Sequence, residues 1–458
     1  MELQTIYKMR PLPKIGLLFL GRKRPGFDPE WAAEVRAATR NLFGKAGFDA
    51  VIPTDSAADD AAVRDALSAC RAAGAEVLVV MQPTISDGRL APVIGQLWDR
   101  GLVLWATTER PVGPMISANS LVGTHVFAAT LRQLGKSFEL VYGHPEDGEC
   151  PRELEIAVRV AGAAQTVRNG KTGLVGYHAP GFVDLHSDPA VLSHLLGVQL
   201  HHLGITEFVE RVNGVDEAAV TEDVAQFKRL KLPYGVGVTQ DVLPMQSRIY
   251  LAVTSLMREE QLASLAVRCW PELPNLLGQW PYLAFTRLAS EGEAVSMEGD
   301  VDGALGNLMA ELLGLGPVYM SDWLEHDRST VAIWHTGAMP LQMCDPVGSP
   351  TGPVISVQFN NKRPAVVDGT IRSGMEVTLY RFWRCDNRYH MVILEGRTGT
   401  PRIHLLGTNG LFETDEVDVH EWFDEMVHEG MPHHVHVIRG RHRSTLRKLA
   451  RYLGITVH

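Results

Sequence analysis

The sequence is poor in several features that mark particular protein classes. Only five of its 458 residues are cysteine, and no two of them form a CxxC pair. Few cysteines in an odd number favour reduced thiols over a disulfide-stabilised secreted domain. No apolar run approaches the roughly 20 residues of a membrane-spanning helix. We therefore expect a cytoplasmic protein. Because the formal net charge is −10, we also expect a small-molecule substrate and no nucleic-acid or membrane partner.

Common cofactor and nucleophile motifs are missing as well. No GxGxxG follows the first apolar run, so the motifs do not indicate a nicotinamide cofactor, and no GxSxG nucleophile elbow occurs. Gly170-Lys171-Thr172 imitates the end of a phosphate-binding loop, but Gln165 stands where the first glycine of that motif belongs. We therefore interpret this stretch as a turn between domains.

Hydrophobic patterning predicts two α/β domains. A chain of this length exceeds what one core usually serves. Short apolar runs alternate with helical patterns, and the alternation restarts after residue 168, which is typical of parallel βαβ units. The expected strands span residues 15–21, 50–53, 76–82, 102–107 and 138–142, then 172–177, 205–212, 233–237, 263–269, 294–297, 317–320 and 330–334. We predict two Rossmann-like α/β domains with parallel sheets, over residues 1–168 and 169–348.

The pattern changes beyond residue 348. Gly, Pro, Asn and Thr turns separate β-branched and aromatic runs, which is typical of antiparallel sheets. Strands are expected at residues 354–359, 376–382, 390–394, 402–406 and 433–438, and a helix around 444–452. We predict a C-terminal antiparallel, barrel-like β domain over residues 349–458.

Three polar residues follow apolar runs of the second series. Glu298, Asp322 and His335 each stand where such a run ends. Ligands of open α/β sheets bind at the carboxyl ends of the strands, so these side chains are candidates for one site. Two carboxylates and an imidazole suit a six-coordinate Mn²⁺ or Mg²⁺. The alternatives are a solvated turn for Asp322 and a satisfied core histidine for His335, whereas Asp300 is expected to cap the helix that follows it.

Histidines are concentrated near the C-terminus, where seven of the eighteen lie in the last forty residues. The stretch His433-His434-Val435-His436-Val437 has a period of two, so His433 shares a face with the valines and the other two histidines share the opposite face. We therefore predict His433 as the buried ligand. His434 and His436 are predicted to be surface or interface residues.

Segments around these candidates resemble those of a known family. Residues 296–304, Ser-Met-Glu-Gly-Asp-Val-Asp-Gly-Ala, and residues 430–435, Gly-Met-Pro-His-His-Val, are similar to the metal-ligand segments of the L-fucose isomerase and L-arabinose isomerase group. Asp322 lies 24 residues after Glu298, a separation found in the fucose isomerases, although Pro432 stands where those enzymes have asparagine. The resemblance implies that Glu298, Asp322 and His433 bind a metal and that His335 lies in the substrate pocket.

The same resemblance implies a reaction in carbohydrate metabolism. The family interconverts an aldose and a ketose through a cis-enediol, and Glu298 and Asp322 would serve as acid and base beside Mn²⁺, or Mg²⁺ or Co²⁺. It also implies a homo-oligomer and a plan of two α/β domains followed by a β domain. Trp270 and Glu272 are candidates for the pocket rim, because aromatic rings pack on sugar faces, while core packing explains the tryptophan equally well.

Three alternative functions stay open at this point. The first is an isomerase for an anionic hexose such as sulfoquinovose, a 6-sulfonated sugar, with Arg22, Arg24 or the basic residues 439–443 holding the anion. A solvated helix entry also explains the 439–443 run. The second is a sugar-binding or regulatory protein that keeps the scaffold without catalysis. The third is a metal-dependent lyase or epimerase that uses the same enediolate chemistry on a ketose.

Overall fold

The computed structural model describes residues 6–24, 26–113 and 115–458. The chain forms two compact units, a small unit of residues 11–166 with 451–453 and a large unit of residues up to Arg10, 167–450 and 454–458. Among the described residues, no helix combines the length and the apolar character needed to cross a membrane, and all five cysteines are free. The domain boundaries at residues 168 and 348 stay a prediction.

The small unit is built on a five-stranded parallel sheet in the order β2-β1-β3-β4-β5. Its strands are β1 (Ile15–Phe19), β2 (Ala50–Val51), β3 (Val77–Gln82), β4 (Gly101–Ala106) and β5 (Glu139–Tyr142), and its helices are α1 (Pro29–Ala46), α2 (Asp60–Ala72), α3 (Leu90–Leu97), α4 (Ser120–Gln133) and α5 (Cys150–Asn169). Strands β1, β3 and β4 are buried along their whole length. Such strands consist of continuous apolar runs because helices cover both faces of a parallel sheet, which is why the sequence predicts these three. Strands β2 and β5 also lie where they are predicted.

The large unit begins with a four-stranded parallel sheet in the order β7-β6-β8-β9. Its strands are β6 (Lys171–Val175), β7 (Gln199–Leu203), β8 (Leu262–Val267) and β9 (Val295–Ser296), and its helices are α6 (Pro189–Leu196), α7 (Ile205–Asn213), α8 (Glu217–Arg229), α9 (Leu243–Glu259), α10 (Glu272–Leu277), α11 (Tyr282–Glu291) and α12 (Val301–Leu312). The strand predicted at 205–212 is wrong. It is helix α7, in which Phe208 and Val212 are buried at helical spacing. The run at 233–237 forms only a single bridge, between Tyr234 and Ile355.

The remaining strands form a mixed, mostly antiparallel sheet in the order β12-β13-β16-β11-β10-β17-β14-β15-β18. An additional pairing of β15 with β16 closes six of these strands into a barrel. The strands are β10 (Tyr319–His326), β11 (Thr330–His335), β12 (Val354–Val357), β13 (Pro364–Thr370), β14 (Glu376–Cys385), β15 (Arg388–Gly399), β16 (Thr408–Glu413), β17 (His434–Arg439) and β18 (Thr456–Val457), accompanied by helices α13 (Val419–His428) and α14 (Arg443–Leu453). Two parallel α/β sheets followed by this sheet confirm the predicted fold class.

Two predictions about this sheet are wrong in detail. Strands β10 and β11 were expected in the second parallel sheet, but they pair antiparallel with each other and with β17 and β16 of the barrel. The run at 402–406 is not a strand. The Asn409 side chain bonds the backbone N–H and carbonyl of Leu405, so this loop satisfies its own polar groups instead of joining a ladder.

Helix α12 packs closely on the barrel, and two glycines permit this approach. A Cβ at Gly306 would lie 2.6 Å from the His436 ring, and one at Gly303 would lie 2.8 Å from Met320 Sδ. The Tyr380 hydroxyl donates a hydrogen bond of 2.9 Å to the Gly306 carbonyl. The first turn of α12 is thereby fixed beside strands β10 and β17.

Candidate metal centre

Glu298 follows strand β9 at the carboxyl end of the parallel sheet, as the sequence predicts. Its backbone is in the left-handed region, with φ of 61°, and Gly299 follows at 74°. This conformation is unfavourable for a residue with a Cβ. The Glu298 N–H donates to Cys269 Sγ at 3.3 Å, and Trp270 Nε1 donates to Glu298 Oε1 at 2.8 Å. The carboxylate is therefore held in one orientation, in which Oε2 faces His434.

Asp322 and His434 are direct neighbours across the β10–β17 ladder. Residues opposite each other in an antiparallel pair project on the same face, and Asp322 Oδ1 lies 3.4 Å from His434 Nε2. Glu298 Oε2 approaches the same nitrogen at 3.3 Å. Asp322 thus stands in the middle of a barrel strand, which corrects its predicted place at the carboxyl end of a strand in the parallel sheet.

His433 lies immediately before β17 and faces the same two carboxylates. Its Nε2 is 3.9 Å from Glu298 Oε2 and 4.0 Å from Asp322 Oδ1. Its Nδ1 is 2.5 Å from Asp184 Oδ2, and its ring packs against Phe182 with centroids 4.7 Å apart. The side chain keeps 30% of its surface exposed. Asp184 therefore orients His433 so that Nε2 points at Glu298 and Asp322.

The prediction that His434 and His436 are surface or interface residues is wrong, because both are completely buried. Strand β17 is a strand of the barrel wall, paired with β10 and β14. Helix α12 covers the face of β17 that carries these histidines. His436 Nε2 donates to the Gly303 carbonyl at 3.0 Å, its ring stacks on Tyr380 with centroids 4.8 Å apart, and burial lowers its pKa to about 3. His436 is therefore a neutral packing residue, whereas His434 faces the carboxylates.

Asp300 performs the predicted capping role and a second one that the sequence did not indicate. Its Oδ1 accepts from the Gly303 N–H at 2.7 Å. Its Oδ2 accepts from His434 Nδ1 at 2.8 Å and from Arg381 Nη1 at 2.7 Å. Although burial opposes ionisation, Arg381 and His434 hold the pKa of Asp300 well below its usual range. The carboxylate fixes the His434 ring, which is the usual way in which a metal-binding histidine is oriented.

Four buried polar atoms converge without hydrogen-bond partners among the described residues: Glu298 Oε2, Asp322 Oδ1, His433 Nε2 and His434 Nε2. The separations between a carboxylate and an imidazole atom are 3.3, 3.4, 3.9 and 4.0 Å. Ligands around one octahedral ion with bonds of about 2.1 Å lie about 3.0 to 4.2 Å apart. Orphaned buried atoms are costly, and one divalent cation would satisfy all four.

His335 completes the set of possible ligands. Its ring nitrogen, an oxygen of Glu298 and a nitrogen of His434 all lie within 4.8 Å of one another, and the same holds for the group of Asp322, His433 and His434. His335 is fully buried, and burial lowers its pKa. A neutral imidazole is the form that binds a metal. Two carboxylates with imidazole donors suit Mn²⁺ or Mg²⁺ better than a thiolate-preferring metal.

The electrostatics of the centre favour positive charge. Burial by itself would raise the pKa of Glu298, yet His433 and His434 hold it below its usual range. Burial likewise disfavours the charged form of His434, but its contacts with Asp300 and Glu298 raise its pKa to about 10. Carboxylates dominate the surroundings, and a bound dication would offset their mutual repulsion.

A cavity of about 390 Å³ opens beside Glu298 and Asp322. This volume is in the range of small-molecule sites. Aromatic and amide side chains dominate its wall: Phe182, Trp270, Trp280, Tyr282, Trp334, Phe359, Asn275, Gln358, Asn360 and Asn361. Among the described residues that line it there is no lysine or arginine. The wall can stack on and hydrogen-bond a neutral polyhydroxylated molecule.

Only two of the four candidate substrate-binding residues line this cavity. His335 and Trp270 line the cavity, and Trp270 also holds Glu298. Glu272 is outside the lining, and its carboxylate is bound by Arg268 at 2.6 and 2.9 Å. Arg22 belongs to the small unit. Substrate binding by these four residues stays a prediction.

Two family models match segments of the chain that carry Glu298 and the two histidines of this centre. Residues 353–458 match the L-fucose isomerase C-terminal domain, and residues 189–313 match the L-arabinose isomerase central domain. The chain therefore contains a domain of each kind. The family resemblance seen in residues 296–304 and 430–435 is thereby confirmed, and so is the assignment to the aldose–ketose isomerases.

Curated relatives of this isomerase include the sulfoquinovose isomerase of Priestia megaterium, 24% identical over 383 residues, which cover 83% of this chain and 84% of the relative. The sulfoquinovose isomerase of Alkalicoccus urumqiensis is 24% identical over 392 residues, covering 83% and 85%. The L-arabinose isomerase of an Arthrobacter species is 26% identical over 199 residues, covering 42% and 38%. The metal, the oligomeric state and the cytoplasmic location of the isomerase stay predictions.

Proposed function

We propose that the protein interconverts an aldose and a ketose, with Glu298 and Asp322 as the acid–base pair. The observation that carries this proposal is the convergence of Glu298 Oε2 and Asp322 Oδ1 on one point, where His434 Nε2 lies 3.3 and 3.4 Å away. The point borders a cavity that accepts a monosaccharide. Two carboxylates at such a place can remove a proton from one carbon and return it to the next.

The chemistry requires two proton movements. One carboxylate takes the proton from C2 while O1 is protonated, which gives the cis-enediol. Return of a proton to C1, with loss of the O2 proton, gives the ketose. Trp270 holds Glu298 in place for this transfer through the 2.8 Å hydrogen bond to Oε1, and the aromatic wall of the cavity limits the access of bulk water to the reacting carbons.

Glu298, Asp322, His433 and His434 would hold a divalent cation, because their buried atoms lack other partners. His335 is a further possible ligand. Mn²⁺ is the proposed metal, with Mg²⁺ or Co²⁺ as alternatives of similar ligand preference. The ion would act as a Lewis acid for negative charge on the substrate oxygens. Asp300 and Asp184 orient the two adjacent histidines toward it.

A 6-sulfonated hexose is the favoured substrate. Four curated relatives that cover most of this chain carry the name sulfoquinovose isomerase. The cavity beside Glu298 offers aromatic and amide groups for the neutral part of such a sugar, and its described lining contains no cation for the sulfonate. A neutral hexose or pentose is the alternative.

The test is turnover in D₂O followed by NMR. The protein is stripped with a chelator and incubated with sulfoquinovose, L-fucose, L-arabinose and D-glucose, with and without Mn²⁺. We expect ketose formation and deuterium uptake at the reacting carbons only when the metal is present. Absence of turnover and of exchange with every sugar would contradict the proposal.

Variants assign the roles. Glu298→Gln and Asp322→Asn should each lower kcat by about 10²- to 10⁴-fold, the usual contribution of a general acid or base. Glu325→Gln changes an exposed carboxylate on the same strand as Asp322 and should behave like the wild type. Full activity in Glu298→Gln would show that another residue moves the proton.

A further inference from the structure

The small unit contains a second crevice at the carboxyl edge of its sheet. Strand β1 lies between β2 and β3, and the chain passes from β1 to β2 on one side and then returns to β3 on the other. Ligands of open α/β sheets bind outside the carboxyl ends of the strands where the strand order reverses. A cavity of about 370 Å³ occupies this place.

The lining of this cavity is rich in charge. Backbone pairing of β1 extends to Gly21, whose N–H donates to the Ala57 carbonyl at 2.9 Å, so the basic stretch begins where the strand ends. The loop after β3 and the start of α2 supply the other side. The charged lining residues are Arg22, Lys23, Arg24, Asp59, Asp87 and Arg89, together with Asp60 at the start of α2.

The carboxylates of the lining are already compensated. Lys23 pairs with Asp59 at 2.7 Å, and the Ala62 N–H donates to the same carboxylate at 2.8 Å. Arg89 pairs with Asp87 at 2.6 Å. Asp60 pairs with Arg64 at 2.8 Å. These three carboxylates are therefore paired with basic residues other than Arg22 and Arg24.

Arg22 differs from the other charged residues of this cavity lining in its hydrogen bonding. Its Nε is buried and has no hydrogen-bond partner in the described part of the chain. A buried N–H of a guanidinium without an acceptor is unfavourable. Arg24 makes no ion pair with any described residue, and its charge helps to hold the pKa of Asp87 at about 2, after the larger effect of Arg89. Two guanidinium groups are thus available to a negatively charged ligand.

The other basic stretch, residues 439–443, differs in this respect. Arg441 pairs with Glu376 at 3.0 Å and lies 3.8 Å from Glu395, and Arg443 pairs with Glu416. Because carboxylates of the protein already balance these arginines, an external anion gains less there.

We propose that the small-unit cavity binds a tetrahedral oxyanion, that is, a sulfonate, sulfate or phosphate group, with Arg22 as its principal ligand and Arg24 as a second. The planar guanidinium donates two parallel hydrogen bonds to such an oxyanion. Inorganic sulfate and phosphate carry this group and serve as its probes.

Binding is tested on the full chain with inorganic sulfate and phosphate, by calorimetry and by thermal unfolding at constant ionic strength kept with chloride. We expect saturable binding, and at least a tenfold weaker affinity in Arg22→Gln. Arg132→Gln removes a charge from an exposed position of the same unit and should bind like the wild type. Arg22→Lys keeps the positive charge but lacks the two parallel N–H donors of the guanidinium. Its affinity should lie between those of the wild type and Arg22→Gln.

Equal affinity of the wild type and Arg22→Gln, or no saturable binding in the wild type, would overturn the proposal. Circular dichroism identifies a variant that fails to fold, and Arg24→Gln then supplies the second test of the same cavity. These binding measurements need no turnover, so their outcome is independent of whether the isomerase reaction is correct.

Discussion

His434 Nδ1 donates a hydrogen bond of 2.8 Å to Asp300 Oδ2, and both side chains are buried. The bond commits Nδ1 as a proton donor, so that Nε2, which faces Glu298 and Asp322, is the nitrogen that would bind a metal once it loses its proton. Asp300 also begins helix α12 and pairs with Arg381. One carboxylate thus links the helix, the barrel and the centre.

Removal of the Asp300 charge should weaken metal binding more than it weakens the fold. In Asp300→Asn the amide can still cap α12, but it no longer stabilises the orientation and charge of His434. We expect the affinity for Mn²⁺, measured by calorimetry, to fall about 10- to 100-fold. Asp302→Asn is the matched control, because Asp302 is half-buried on the same helix and accepts from Tyr389 instead. An equal loss of affinity in both variants would contradict this role of Asp300.

His434 and His436 should respond differently to the same substitution. His434→Gln removes one of the atoms that face the carboxylates, so we expect loss of Mn²⁺ binding, measured by electron paramagnetic resonance. His436→Gln breaks the hydrogen bond to Gly303 and should lower the free energy of unfolding by about 1–3 kcal/mol, with metal affinity retained. Loss of metal binding in His436→Gln in a folded protein would show that the wrong histidine was chosen.

Trp270→Phe tests the positioning of Glu298. The substitution keeps an aromatic ring in the cavity but removes the donor to Glu298 Oε1. A hydrogen bond to a charged group contributes about 1.5–3 kcal/mol, so we expect kcat to fall about tenfold or more with a smaller change in KM. Trp280→Phe is the comparison, because Trp280 lines the same cavity but donates to Asn361, and it should change KM rather than kcat.

Glu311 makes stability depend on pH in a defined direction. Burial raises its pKa to about 7 despite hydrogen bonds from Tyr7 and the Val318 N–H and the charge of Arg10, and Glu293 adds to the rise. The unfolded chain releases this proton at a lower pH, so the folded state binds more protons in the interval between the two pKa values. The stability contributed by this group is therefore present below that interval and is lost as pH rises through 7.

Glu311→Gln should remove this dependence. Relative to the wild type, the variant should gain stability between pH 5 and pH 8, by about 3 kcal/mol at most. Urea unfolding midpoints of both proteins at the two pH values measure the difference. A constant difference across this range would show that Glu311 ionises at its ordinary pKa in the folded protein.

Local features of the centre could be predicted from the sequence, and several were. Glu298 follows β9, Asp300 caps α12, and the apolar runs of the small unit are strands. These features depend on neighbouring residues, so short-range patterns reveal them. The 24-residue separation and the resemblance to a family added Asp322 to the candidate ligands, although its strand belongs to the barrel and not to the parallel sheet.

The sequence by itself therefore determined the alternation of strands and helices, the carboxylates of the centre and the isomerase family. Only the tertiary structure showed that His434 faces them as well as His433. A period of two separates His433 from His434, but it cannot tell whether solvent or a helix covers the second face, and here α12 covers it. The partners that orient these histidines are equally remote, with Asp184 lying 249 residues from His433 and Asp300 lying 134 residues from His434. Contacts at such separations arise from packing, which no local pattern encodes.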